Sequence, residues 1–218
     1  MGNSGSFRHF MASIVEQLQS QTINLLVPYL GTGSYAGRFF LKPGPINYGE
    51  EKMLQFFGQL LGISLRSGIP LALNLMPTFW RTFVNQPYSQ WQECKDLDPV
   101  TFLFIKTIET LTEDTFGEFL EDNDYPKFVF HSLTGDIVEI CPDGANMDLV
   151  WANREDYVKN LKQLKMNEWQ SQARMNHILA GLATMAPISF IQNTFNAEDA
   201  ELQICGHPYV DLMFLRAH

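Results

Sequence analysis

Two glycines, Gly58 and Gly62, sit four residues apart in a segment that is otherwise apolar nearly all round. Met53, Leu54, Phe56, Phe57, Leu60, Leu61, Ile63 and Leu65 leave it almost no polar face, the pattern of a helix buried on most sides. A glycine inside a helix costs about 1 kcal/mol relative to alanine. Two of them stacked on one face therefore imply that another backbone approaches closely there. Asn47 followed by Glu50 reads as a capping box at the start of this helix, and Ser67-Gly68 with Pro70 as its stop. A chain of 218 residues, 45% of them hydrophobic, has enough material to surround such a helix with a core.

Other elements follow from spacing and punctuation. Phe7, Phe10, Met11, Ile14, Val15 and Leu18 lie on one helical face, with Ser4 or Ser6 as the expected cap. Leu25–Leu30 and Gly37–Leu41 flank a glycine turn and read as a hairpin. Pro77 opens a short aromatic helix, and Ser89 with Gln92 reads as a second capping box. Asp98-Pro99 opens another helix. Residues 128–130, 137–140 and 149–151 read as short strands. Asn153 is the expected cap of a long helix running to His177 or Gly181, and Asn196 the cap of a last one ending at Cys205-Gly206. The expected class is mainly α with small β elements, an α+β fold.

The helix opened by Asp98-Pro99 carries two apolar sectors. Val100, Leu103, Phe104, Thr107 and Leu111 form one; Thr101, Ile105 and Ile108 form the other. Two sectors need two partners. Either both are buried between layers of the same fold, or one floors an exposed groove.

A net charge of −9 disfavours nucleic acid and anionic lipid as partners. The stretch from Leu60 to Met76 is interrupted by Ser64, Arg66, Ser67 and Asn74, so no membrane span is expected. Cys94, Cys141 and Cys205 are odd in number and widely spaced. They read as reduced thiols, which implies an intracellular compartment, the cytoplasm first and the nucleus second. Hydrolase, dinucleotide and P-loop signatures are missing: Gly31, Gly33 and Gly37 are wrongly spaced and lead into an extended segment. The five histidines form no ligand pair, and Glu118, Glu121, Asp122 and Asp124 read as a solvated loop. No cofactor and no metal site are expected.

Four collinear segments resemble those of the HECT-type ubiquitin ligases: Phe56-Phe57-Gly58-Gln59-Leu60-Leu61-Gly62 running on to Leu71, Leu97-Asp98-Pro99, Val150-Trp151-Ala152-Asn153-Arg154 running on to Val158, and Glu201-Leu202-Gln203-Ile204-Cys205-Gly206. The resemblance implies the N-lobe of that domain, a large helical subdomain plus a small one that docks a ubiquitin-charged conjugating enzyme. It implies the large subdomain in residues 1–97 and 161–205, the small one in 98–160, and in 206–218 a hinge at Gly206, His207 and Pro208 with the start of a C-lobe. By register, the conjugating-enzyme site falls on Thr101, Ile105, Ile108, Leu111, Phe128 and Tyr157. Thr101 departs from the larger apolar residue usual there. The family's thioester-forming cysteine belongs to the C-lobe, and none of the three cysteines matches it. The partners implied are a ubiquitin-conjugating enzyme, ubiquitin carried by it, and protein substrates selected elsewhere in the parent protein. The competing reading is a non-catalytic helical adaptor that binds a conjugating enzyme.

Overall fold

The computed structural model describes residues 3–20 and 22–206. Helix α1 (Asn3–Leu18) buries Met11, Val15 and Leu18. It begins at Asn3, which places Ser4 and Ser6 within its first turn. Strands β1 (Leu26–Pro28) and β2 (Phe39–Leu41) pair antiparallel, Val27 opposite Phe40, around a short turn at Gly33–Tyr35. Helix α2 (Tyr48–Ser67) starts on the Asn47/Glu50 box: the Glu50 N–H donates to Asn47 Oδ1 at 2.9 Å, and the Asn47 N–H donates to Glu50 Oε2 at 3.1 Å. It stops at Gly68, whose φ of 66° suits glycine. Helix α3 (Pro77–Phe83) stacks Phe79 on Phe57 with ring centres 5.8 Å apart.

Helix α4 (Pro99–Thr110) is capped by Asp98, and α5 (Glu113–Asp122) follows after two residues. Strands β3 (Val129–His131) and β4 (Ile137–Glu139) form a second antiparallel hairpin with Phe130 opposite Val138. Helix α6 (Arg154–Gln170) ends at Ser171, which adopts the left-handed conformation (φ 45°, ψ 48°). Helix α7 (Gln172–Ala183) starts immediately afterwards. Helices α8 (Ile188–Thr194) and α9 (Ala197–Cys205) complete the order, the latter capped by Asn196.

Gly58 performs the expected role, with α7 as the approaching backbone, whereas Gly62 makes room for side chains. A Cβ on Gly58 would overlap the carbonyl oxygen of Ile178, and one on Gly62 would overlap the Met185 side chain. Contact is reciprocal, because a Cβ on Gly181 would overlap the carbonyl oxygen of Gln55. The larger core gathers α1, α2, α3, α7, α8 and α9 around this contact. A second core contains Ile105, Ile108, Phe116, Phe119, Phe128, Leu149, Tyr157 and Val158. It extends beyond residues 98–160 at both ends, taking in Trp91, Cys94 and Leu97 before them and Leu161 and Trp169 after them.

Several local expectations are corrected. Residues 149–151 form no third strand: only an isolated bridge joins Lys127 to Asp148, and Trp151–Asn153 is a tight helical turn. Asn153 does not cap α6. Its Oδ1 accepts from the Val150 N–H at 2.8 Å and its amide donates to the Asp148 carbonyl at 3.0 Å, so it closes the preceding turn. The long helix is broken at Ser171. Glu93, one residue later than Gln92, accepts the Ser89 and Gln90 N–H groups. The acidic stretch at 118–122 is helical, because Phe116 and Phe119 are spaced to face inward. Gly206 ends α9, whereas His207, Pro208 and the expected start of a C-lobe lie outside the described residues.

Candidate functional site

Asp98 organises the start of α4. One carboxylate oxygen accepts the Thr101 N–H at 3.0 Å and the other accepts the Thr101 hydroxyl at 2.7 Å. Thr101 thus uses its hydroxyl as a second capping bond, which a larger apolar residue would lack. Asp98 also faces the buried ammonium of Lys165 at 3.3 Å, and that ammonium donates to the His131 carbonyl at 3.0 Å. Glu168, one turn on, accepts from the Ser132 hydroxyl and from the Leu133 N–H at 3.0 Å. This network joins the first turn of α4, the β3–β4 turn and the middle of α6. Buried ion pairs add little net stability, but they fix geometry, and here Glu168 Oε2 is left with the Lys165 ammonium 3.9 Å away and no hydrogen bond.

The groove expected over Ile105, Ile108, Phe128 and Tyr157 is closed. Ile105 is 0% exposed and Ile108 1%, and Phe128 and Tyr157 are buried with them. The Phe128 and Tyr157 rings meet edge to face at 5.1 Å, and Phe104 lies 6.4 Å from Tyr157 and 5.6 Å from Phe119. The register therefore brings α4, β3 and α6 together as expected, but their apolar side chains form an interior. The physical reason is α5, which adds Phe116 and Phe119 to that interior. Burial holds the Tyr157 hydroxyl up at a pKa of about 12.

The other sector meets water in part. Val100 is 80% exposed and Leu103 65%, while Phe104 and Leu111 pack against the second core and Thr101 is half-buried. Tyr125 and Val150 are also exposed, each two residues beyond the Lys127–Asp148 bridge. Sequence reading missed Val100 and Leu103 as the exposed pair. It also missed α5, where apolar residues at 116, 119 and 120 were hidden among acidic ones.

Charge is distributed unevenly. Residues 98–160 contain fourteen acidic and four basic side chains, a net of −10, against ten acidic and eleven basic in the remainder. The net negative charge of the chain therefore comes from the segment around the second core.

Two of the three thiols are held in the protonated form. Burial, with Glu93 nearby, pushes Cys94 up to a pKa of about 11, and burial with Glu201 nearby pushes Cys205 up to about 12. All three cysteines are free. Among the described residues no group of three His, Cys, Asp or Glu side chains could hold a metal, and no helix is long and apolar enough to cross a membrane.

Comparison with known proteins agrees with the four motifs. The sequence model of the HECT-domain (ubiquitin-transferase) family matches residues 12–218. A human protein described as probable E3 ubiquitin-protein ligase HECTD4 is 34% identical over 235 residues, covering 100% of this chain and 6% of its own length. Human E3 ubiquitin-protein ligase HERC2 is 26% identical over 218 residues, covering 98% of this chain and 4% of its own length. E3 ubiquitin-protein ligase HACE1 of Danio rerio is 24% identical over 173 residues, covering 79% of this chain and 18% of its own length. The chain thus spans a small part of each relative. With its helical body, its two small hairpins and a family match over nearly its whole length, the chain belongs to the HECT-domain ubiquitin-transferase family.

Proposed function

We propose that this chain acts as the N-lobe of a HECT ubiquitin ligase and docks a ubiquitin-charged conjugating enzyme on the outer face of α4. The observation that carries the reading is the exposure of Val100 and Leu103 on the helix that the family register selects. Thr101 and Leu111 form the margins of that face, and Ile105, Ile108, Phe128 and Tyr157 hold it in place from behind. Exposed apolar side chains on an acidic surface suit a partner with an apolar tip and a basic surround. Because Val100 and Leu103 make little internal contact, Leu103→Asp and Val100→Asp leave the fold intact. Each is expected to weaken conjugating-enzyme binding about tenfold or more, the scale of one lost interface anchor, measured by calorimetry or NMR titration. Binding is also expected to weaken as salt rises. Unchanged affinity in both variants would place the docking site elsewhere.

The cysteine that accepts ubiquitin is assigned to a C-lobe separate from these residues. Cys94 and Cys205 support this, since a thiol held near a pKa of 11 or 12 is almost wholly protonated at neutral pH. Incubation with charged conjugating enzyme is expected to give no reducible ubiquitin adduct on this chain. An adduct mapped to Cys94, Cys141 or Cys205 would overturn the assignment.

A further inference from the structure

A cleft of about 850 Å³ opens between the Lys42–Asn47 loop, one face of the β3–β4 hairpin and the junction of α6 with α7. The first turn of α7 forms part of its wall, through Ser171, Gln172, Ala173 and Arg174. That turn has no capping side chain and no acidic residue. The Ser171 hydroxyl donates backwards to the Glu168 carbonyl at 2.8 Å, so it does not serve as the cap. Met175 N–H donates to Ser171 O at 3.0 Å, which leaves the amides of residues 172–174 as the free donors of the helix start. The positive end of the helix dipole adds to them.

Arg174 supplies the independent observation. It is 1% exposed, yet among the described residues its Nε and Nη1 have no hydrogen-bond partner. Only Nη2 is engaged, by the Pro45 carbonyl at 3.2 Å and by Glu50 Oε1 at 3.4 Å. Lys42 contacts the same Glu50 oxygen at 3.2 Å. Two cations therefore share one carboxylate, whose proton affinity burial would raise but which the Asn47 N–H, Lys42 and Arg174 together hold below its usual range. A buried guanidinium with idle donors is costly unless something answers it. Two other carboxylates lie on the wall. Glu168 Oε1 accepts from Ser132 and Leu133 while its buried Oε2 has only the Lys165 ammonium, 3.9 Å away, and Asp136 accepts from the Thr134 hydroxyl at 2.7 Å.

We propose that this cleft binds an oxyanion, a phosphate or carboxylate group, against the first turn of α7, with Arg174 and Lys42 as the charges that answer it. Helix-start amides with an adjacent guanidinium match the shared chemistry of both groups. None of the residues lining the cleft belongs to α4, so the proposal stands independently of the docking face.

The test is an NMR titration of the whole chain with inorganic phosphate, and separately with acetate, at ionic strength held constant with chloride. Saturable shifts of the Gln172, Ala173 and Arg174 amides are expected. Saturation by phosphate alone assigns the phosphate group, and equal or tighter saturation by acetate assigns the carboxylate. Arg174→Met is expected to weaken binding about tenfold or more, the scale of one charge-assisted bond. Lys42→Met, at a partly exposed position that tolerates change, is expected to weaken it about threefold. Shifts that never saturate with either anion overturn the proposal, as does unchanged affinity in Lys42→Met. Unchanged affinity in a folded Arg174→Met overturns it equally.

Discussion

Gly181→Ala is expected to destabilise the chain by about 2–4 kcal/mol, more than ordinary overpacking of a core. Alanine is the better helix former by about 1 kcal/mol, so helix propensity alone points the other way. Sterics decide the outcome. The added Cβ would overlap the Gln55 carbonyl of α2, a backbone atom that cannot swing aside as a side-chain tip can. The helices must separate, and the interior around Leu54, Leu182 and Ile178 loosens with them. Gly58→Ala, which would overlap the Ile178 carbonyl, is expected to act alike. Gly117→Ala is the control. It lies in α5 with nothing within 4 Å of the added carbon, and it is expected to be neutral or stabilising. Denaturant melts of the three variants give the comparison, and equal stability of Gly181→Ala and Gly117→Ala would refute the close approach.

Ile105→Asp is expected to unfold the second core, at a cost above about 4 kcal/mol. The side chain is fully buried beside Ile108, Phe128 and Tyr157, and Lys165, the buried cation of this core, is already engaged by Asp98. The carboxylate would have to stay neutral or drag water in. Ile105→Val, which removes one methylene, is expected to cost about 1 kcal/mol. Leu103→Asp, two residues away and exposed, is expected to leave the melt unchanged. A normal melting transition in Ile105→Asp, with hydrogen exchange in α4 and α6 unaltered, would show that position 105 faces solvent after all. Loss of partner binding in Ile105→Asp alone would not identify a contact residue, which is why the exposed pair carries the docking test.

The central helix pair was legible because glycine in a helix has few explanations, and Gly58 with Gly62 asked for a neighbouring backbone. Its partner was not legible, since Gly181 stands alone in its own helix and nothing local links it to α2. Capping residues placed the starts of α2, α4 and α9 well, their side chains having little else to bond. Asn153 misled because its amide has two functions and bonds the turn behind it. The break at Ser171 was invisible, since serine seldom adopts a left-handed conformation and no proline or glycine marks it. The inversion of α4 has a plain cause. Both sectors are apolar, and choosing between them needs the position of α5, whose Phe116 and Phe119 were masked by acidic neighbours. Motif register identified the elements that meet at the second core but not which side of each faces inward.

Ser171 also sets the angle between two long elements. Helix α6 is anchored in the acidic half and α7 in the other, and they meet at this one strained joint. An α-helix of this length measures about 25 Å, so a ten-degree turn of the two backbone torsions at the joint would sweep its far tip through roughly 4 Å. Because α6 also packs against α3 and β2, such a turn would have to break those contacts, so the joint fixes the direction in which the arm points.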